Sequence, residues 1–478
     1  MTLITDFVRR VTNPEPNDYP VRNLTDCDFY KFPMNQFIAE NYPGTIVRFE
    51  LINRELGIPL ARIVPEEQIR WAFDHMMGLK FRRTDLYYLN GMDVYGQNMF
   101  KYPHIEGLKN MEMCGYTLER VGDQYRFFVE CEWERVSWWE TMAMAAIMEL
   151  YYRNLMAQMP EHELAVLYGR AADKLYKKLK RLAQFKGIRI ADFGQRRRHS
   201  FLWQRYAIEM AMDVLGEQFT GTSNTYLAGA FDLVPIGTNA HELPMVITAL
   251  LMALADKMGL SLEERRDLVR SGQYKMLPQW SKLYGKGLRI VLPDTYGSRQ
   301  FYNNMPADLA HEIAHEWRGE RPDSGDPVDE SRFHIEWLKR QGVENPLRAG
   351  KVSILSDGLD VRVEGYDYAS KDRDMIEIYQ ALEHEIATPF GWGTNFTNDF
   401  KGCLCQPDAL VPSLKDLGLR WRDVFRGFSL VCKVTAVNGH PAVKLSNNPN
   451  KATGEPAEVK RYIKVFEADG LVSKDVNV

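Results

Sequence analysis

From Gly187 onward the chain keeps returning to one local pattern: a short apolar run ends in a cluster of Gly, Asp, Ser or Thr, and a helical or irregular stretch follows. Ile188–Phe193 leads to GQRRRHS, Gln218–Thr220 to GTSN, and Leu233–Ile236 to GTNAHE. Leu288–Leu292 leads to PDTYGSR, Trp317–Arg321 to PDSGDP, Val352–Leu355 to SDGLD, and Ile386–Phe390 to GWGTNFTND. Such alternation predicts an α/β fold of parallel strands wound with crossovers. The seven junctions are unevenly spaced, so an irregular β/α barrel is expected rather than a clean eightfold repeat. In barrels of that kind functional groups gather at the carboxyl ends of the strands. All seven polar clusters fall there, which predicts one shared pocket.

The stretch Gly221–Glu242 is the most informative. Leu233–Ile236 reads as a buried strand, Gly237–Thr238 breaks it, and apolar residues then recur at Val246, Leu250, Leu251 and Leu254 with helical spacing. Asn239 is the expected N-cap, and Pro244 is tolerated near the first turn. His241 therefore sits at the amino end of a helix, just past a strand. Unpaired N–H groups and the helix dipole there favour an anion and disfavour imidazolium. The ring is expected to be neutral and nucleophilic, and a phosphoryl group on it would be held rather than repelled. A lone histidine in such a place more often caps or packs, so the surrounding motifs decide.

The rest of the chain completes the domain organisation. Residues 1–15 read as an arm, because Pro14, Pro16 and Pro20 crowd the first twenty residues. A helix is expected from Lys31, a strand over Thr45–Arg54, a helix from Pro65 to about Leu79, a strand over Tyr125–Val136 and a long helix from Trp138 through Leu155. Asp173–Leu182 is an amphipathic helix with a solvated basic face. Two alternating runs joined by Asn438-Gly439 form the best hairpin signal, since both residues tolerate the left-handed turn. The hairpin is expected to return to the amino-terminal half. That gives a discontinuous α+β domain, residues 16–150 completed by about 425–478, and a barrel-like unit over 151–424.

A formal net charge of −4 argues against general nucleic-acid binding. No apolar run reaches membrane-spanning length and the amino terminus lacks a signal-peptide core, so a cytoplasmic location is expected. The six cysteines show no paired zinc pattern, and Cys403 and Cys405 read as ordinary thiols.

Several clusters carry chemistry. Arg196, Arg197 and Arg198 follow Phe193-Gly194; guanidinium forks bind carboxylate or phosphate, and Phe193 offers an aromatic face. Arg321-Pro322-Asp323-Ser324-Gly325-Asp326 is by itself a tight turn. Gly358 in SDGLD and Gly393 in GWGT let backbone amides approach an anion.

Taken together, Asp28-x-Tyr30-Lys31-x-x-Met34, Phe193-Gly194-x-Arg196, GTSN followed by PIGTxAHE, and Arg321-x-Asp323-Ser324-Gly325-Asp326 occur in one order across Asp28–Gly454. In this the chain closely resembles the nicotinate phosphoribosyltransferases. The resemblance implies transfer of phosphoribose from phosphoribosyl pyrophosphate to nicotinate, with ATP as co-substrate, Mg²⁺, and a phosphohistidine at His241. It implies catalytic roles for His241, Asp323 and Asp294. Substrate-binding roles fall to Tyr30, Phe193, Arg196, Arg321, Ser324 and Gly325. The 5′-phosphate loops would be built from Asp357, Gly358, Gly393 and Thr394. Phe193 would sandwich the pyridine ring with a Tyr30 reaching across from a neighbouring subunit, so a homodimer with shared active sites is expected. Lys444 also fits a family segment, without a role. Thr25-Asp26 stands two residues earlier than the family's Thr-Asp, and Trp317-Arg318-Gly319-Glu320 departs from its commoner Gly-Val. The nearest rival reading is a nicotinamide-using relative, against which the arginine run favours a carboxylate. A catalytically silent phosphate-binding sensor is the other.

Overall fold

The computed structural model describes residues 2–12, 15–96, 99–366, 373–448 and 451–467. The opening segment, expected as an arm, is a helix, Thr2–Thr12. Ile4, Phe7, Val8 and Val11 recur at helical spacing, Phe7 and Val8 are buried, and Phe7 stacks on Tyr168 with ring centroids 4.8 Å apart. The prolines Pro16 and Pro20 act only past its end.

Strand β1 (Ile46–Asn53) alternates buried and half-buried positions, the period of a strand with one covered face. It pairs antiparallel with β3 (Gln124–Glu132), which forms a hairpin with β2 (Thr117–Val121). The helix Trp139–Met156 is apolar nearly all round and almost wholly buried, as such a helix must be.

The seven runs then form parallel pairings. Strands β4 (Ile190–Asp192) and β5 (Phe219–Thr222) pair with each other, and β6 (Ile290–Val291), β7 (Gly319–Glu320) and β8 (Val352–Ser353) form a second parallel sheet. Strands β9 (Leu359–Asp360) and β10 (Arg373–Asp374) make a separate parallel pair. Strand β11 (Phe390–Trp392) pairs with β4, and bridges Val352–Ala387 and Leu355–Phe390 join it to the β8 side. The Leu233–Ile236 run, expected as a strand, keeps only the parallel bridge Thr222–Pro235, since Pro235 has no N–H to give a ladder. In space the order is Pro235, β5, β4, β11, β8, β7, β6. Among the described residues no strand pairing joins Pro235 to β6; Asn239 Nδ2 instead donates to Ile290 O at 3.1 Å.

The chain returns at its end. Strand β12 (Leu430–Val437) lies between β1 and β13 (His440–Pro441), and the turn residues Asn438 and Gly439 have φ of 48° and 79°, as a two-residue hairpin of this hand requires. The following strap, residues 443–448 and 451–454, crosses to the parallel strands, where Leu445 N and Ser446 N both donate to Thr295 O. Cys114 and Cys131 form a disulfide. Cys27, Cys403 and Cys432 are buried free thiols and Cys405 is exposed. Among the described residues no helix is long and apolar enough to cross a membrane.

Candidate active site

The amino-terminal Thr25–Tyr30 segment reaches the strand ends through a buried clasp. Arg198 and Asp26 are almost wholly inaccessible and form a bidentate pair at 2.6 and 2.9 Å. Asn224 Nδ2 donates to Asp26 Oδ1 at 2.8 Å, and Ser223 Oγ donates to Asp28 Oδ1 at 2.6 Å. The GTSN cluster thus holds TDCD. Gly237 lets the segment lie close: with φ of +155°, it faces the Tyr30 backbone, and an added Cβ would stand 2.9 Å from Tyr30 N.

The clasp leaves Tyr30 lining one cavity of about 340 Å³ with Phe193, Arg196, His241, Arg321 and Asp323 of the same chain. The expected reach of Tyr30 into a neighbouring subunit is therefore corrected: Tyr30 and Phe193 border the same cavity within one chain, because Asp26 and Asp28 are anchored locally. Behind the ring, Tyr30 Oη donates to Glu140 at 3.1 Å. Glu140 pairs with Lys31 at 2.6 Å and Lys433 at 3.0 Å, and Lys31 also holds Glu242 at 2.6 Å. Burial raises the Glu140 pKa, but Lys31, Lys433 and Arg196 outweigh it and hold the carboxyl well below the usual range. Glu242 also accepts from Trp133 Nε1 at 2.6 Å, so it turns away from its neighbour His241.

The three arginines diverge. Arg196 faces the cavity and approaches Asp28 at 3.4 Å; burial pushes Asp28 up to about 6 against that pull. Arg197 Nε donates to Leu430 O at 3.0 Å, and Arg198 belongs to the clasp. Arg321 donates to Asp323 Oδ1 at 3.2 Å and to Asn239 O at 3.1 Å.

His241 is itself the N-cap position of the helix Glu242–Lys257. Asn239, expected there, is two residues too early and is occupied with Ile290. His241 Nδ1 lies 2.9 Å from Thr295 Oγ1. Its Nε2 lies 3.7 Å from Asp294 Oδ1 and 3.4 Å from Asp323 Oδ2, buried without a hydrogen bond. Burial first, and then the charge of Lys444, lowers its pKa to about 4. The imidazole is neutral at physiological pH, and a proton on Nδ1 given to Thr295 leaves the Nε2 lone pair free. Asp294 accepts from Ser324 Oγ at 2.5 Å through Oδ2, while its Oδ1 is buried and unpartnered. Burial raises Asp323, but the charges of Arg321 and Lys444 help overcome this, and the carboxyl is held well below the carboxylate range.

The remaining sequence candidates stand around this centre rather than on the cavity wall. Gly325 adopts φ of +92° beside Glu330. Asp357 pairs with Lys451 at 2.6 Å, and Gly358 follows in a left-handed turn, φ +61°. Gly393 and Thr394 open the short helix Thr394–Thr397 beyond β11. Sequence reasoning missed Thr295, Lys433 and Lys451. Lys451 Nζ donates to Asp323 O at 3.2 Å, and Thr295 was visible only as part of PDTYG. Among the described residues no group of three or more His, Cys, Asp or Glu is arranged to hold a metal ion.

A pair of aromatic faces with guanidinium groups beside it, and a neutral imidazole between two carboxylates at parallel strand ends, define a cleft suited to a planar aromatic anion and phosphate groups. Comparison with known proteins agrees. The family model described as "Nicotinate phosphoribosyltransferase (NAPRTase) family" matches residues 188–469, and that of the NAPRTase N-terminal domain matches residues 25–148. The chain belongs to the nicotinate phosphoribosyltransferase family. Among solved structures it is similar to a nicotinate phosphoribosyltransferase from Vibrio cholerae, with 26% identity and a TM-score of 0.76, covering 97% of this chain and 98% of that one. It shares its fold with the Porphyromonas gingivalis enzyme at 23% identity, TM-score 0.73, covering 94% and 100% of the two chains. A putative nicotinate phosphoribosyltransferase from Saccharomyces cerevisiae matches at 23% identity, TM-score 0.73, over 95% and 100%.

Proposed function

We propose that the chain converts nicotinate and phosphoribosyl pyrophosphate to nicotinate mononucleotide and pyrophosphate, the first step of NAD salvage from nicotinate, coupled to ATP hydrolysis. The observation that carries this reading is the single cavity shared by Tyr30, Phe193, Arg196, Arg321, His241 and Asp323. The parallel runs are read as an irregular β/α barrel within 151–424, and the five-stranded sheet as the core of the discontinuous domain.

Tyr30 and Phe193 would hold the pyridine ring, and Arg196 or Arg321 its carboxylate. The ring nitrogen forms a bond to ribose C1 as the C1–O bond breaks and its electron pair leaves on pyrophosphate. Asp323 faces the sugar as positive charge develops there; orientation and fixed charge supply the rate. Ser324, Gly325, Asp357, Gly358, Gly393 and Thr394 would frame the phosphates. In the coupled step, His241 Nε2 adds to the γ-phosphorus of ATP and the bridging bond breaks toward ADP. Water then releases dihydrogen phosphate, and the P–N electron pair returns to the ring.

Mg²⁺ would be held by Asp294 and Asp323. The fit rests on Asp294 Oδ1, a buried carboxylate oxygen with no partner, and on the preference of this ion for one or two carboxylates plus substrate phosphates. It would neutralise pyrophosphate charge. In a homodimer of this chain each site would be complete within one subunit.

Pyrophosphate release with nicotinate, with and without ATP, tests the reading, and competition with nicotinamide tests the carboxylate. Release should require nicotinate, rise with ATP and be little affected by the amide. His241→Ala should abolish ATP hydrolysis and leave slow, ATP-independent transfer. Nicotinamide turning over in place of the acid would refute the assignment.

A further inference from the structure

The basic face of the helix Glu161–Leu182 is only partly solvated. Lys177 and Lys180 are exposed, but Lys174 and Lys178, one turn apart, are each 2% exposed. Two ammonium groups so placed repel each other, and burying them is costly unless carboxylates meet them. Asp399 lies between the two, 2.7 Å from Lys174 and 2.5 Å from Lys178, and Lys178 also meets Asp360 at 2.5 Å. Lys174 further donates to Lys401 O at 2.9 Å. Burial lowers the Lys178 pKa, but Asp399 and Asp360 outweigh it and keep the ammonium charged. None of the four lines the cavity.

The two aspartates belong to the strand-end loops that would frame the phosphates. Asp360 follows Gly358 by two residues, at the end of β9, and Asp399 follows Gly393 by six, just past the short helix Thr394–Thr397. These loops hang from different sheets: β9 pairs with β10, whereas β11 pairs with β4. Among the described residues no strand pairing joins β9 to β11, so no backbone ladder sets the distance between the two loops. Side chains span the gap instead. Lys178 joins Asp360 to Asp399, and Asn395 Nδ2 donates to Leu359 O at 3.0 Å. The Asp399 side is tied onward to the turn that carries Arg196, because Thr397 Oγ1 donates to Gly194 O at 3.1 Å and Asn398 Nδ2 to Arg197 O at 2.9 Å.

We propose that Lys178 is a positioning residue, holding the Asp357–Gly358 and Gly393–Thr394 loops at the separation that lets both bind one phosphate group of the phosphoribosyl substrate. The inference rests on the reading of these loops given above. Backbone amides that cradle an anion must converge on it. A phosphate gripped from two sides loses a bond when one side drifts, because hydrogen bonds weaken steeply once their geometry is lost. Lys178 is enclosed by its own carboxylates, so it acts on the phosphate through the loops.

The test separates the bridge from the burial of charge. Lys178→Met leaves Asp360 and Asp399 with Lys174 alone and should lower Tm. Lys178→Met/Asp360→Asn keeps the Lys174–Asp399 pair and restores the balance of charge, so it should recover most of that Tm, yet it has no bridge between the loops. In calorimetric titration of the full-length protein, ribose 5-phosphate should bind this double variant about tenfold more weakly than wild type, the loss of one hydrogen bond to a charged group, while the nicotinate KM stays within about twofold. Gly358→Val, which burdens a left-handed position of φ +61°, should weaken the same probe. Wild type that does not bind ribose 5-phosphate, or Gly358→Val that binds it as wild type does, removes the reading of the loops and this inference with it. Weak binding by Gly358→Val beside wild-type binding by the double variant overturns this inference alone. A double variant as unstable as the single, or one whose nicotinate KM rises as much as its phosphate affinity falls, would show general support of the fold and overturn it too.

Discussion

The Arg198–Asp26 clasp allows a quantitative test of how the aromatic half of the site is held. Arg198→Met removes a guanidinium that makes bonds of 2.6 and 2.9 Å to Asp26, 2.8 Å to Pro20 O and 2.9 Å to Gln195. Both partners are buried, with exposures of 0% and 1%. The variant leaves the Asp26 carboxylate supported chiefly by Asn224 Nδ2, and breaking a buried pair from one side costs about 3–5 kcal/mol. Unfolding entropy of about 2.1 cal/mol/K per residue over 478 residues is roughly 1 kcal/mol/K. Tm should therefore fall by about 3–5 °C in scanning calorimetry. Because Asp26 stands four residues before Tyr30, KM for nicotinate should rise more than KM for ATP. The double variant Arg198→Met/Asp26→Asn removes both charges and should recover at least about half of the lost stability. A single variant with Tm within about 1 °C of wild type, or a double variant no better than the single, would refute the account.

Other outcomes follow from the same geometry. Since one chain holds Tyr30 and Asp323 on one cavity, mixing Tyr30→Ala with Asp323→Ala protein should restore no activity even after proven subunit exchange; recovery would show a shared site. Phe193→Ala should lose stacking of order 1 kcal/mol, raising the nicotinate KM about fivefold. Arg321→Lys should also impair binding, because one ammonium cannot serve both Asp323 and Asn239 O as the fork does. Nicotinate KM values like those of wild type in both variants would place the ring elsewhere. Burial holds His241 at about 4 against an ordinary 6.5, so between those values the unfolded chain takes up a proton that the native chain refuses. Stability from this group is present above about 6.5 and falls as pH drops through that window. His241→Gln should therefore lose less stability than wild type between pH 7 and pH 5 in urea unfolding; parallel losses would show that the ring is not buried neutral.

Local pattern revealed the parallel runs because most are apolar and each is short and closed by a turn cluster, and all seven contribute a parallel pairing. It revealed His241 for the same reason: strand end, Gly-Thr break and helical periodicity are contiguous. What it misplaced depended on contacts between distant segments. Whether Tyr30 serves its own chain or another is decided by Asp26 and Asp28 meeting Arg198, Asn224 and Ser223, a long-range arrangement invisible to spacing. The opening helix was hidden because prolines just downstream outweighed the Ile4, Phe7, Val8 and Val11 stripe. The Cys114–Cys131 pairing illustrates the same limit, since connectivity is a tertiary fact. Lys451 and Thr295 carried no motif of their own; only the strap's hydrogen bonds bring them to the site.

The insertion of β12 between β1 and β13 has a consequence for biosynthesis. One edge of β1 has no partner until residues 430–437 have been made, although β1 itself emerges early from the ribosome. During most of translation the nascent chain therefore carries an exposed, apolar strand edge of the kind that templates aggregation. The same order of synthesis delays completion of the site, because Lys451 and the strap residues that bind Thr295 and Ser324 follow the missing strand. A chain stalled short of its end would possess the arginines and the histidine yet lack a finished sheet and the strap. Slow release from ribosomes should thus penalise the yield of this protein more than that of one whose sheet is complete in its first half, and a chaperone that shields strand edges should relieve the loss.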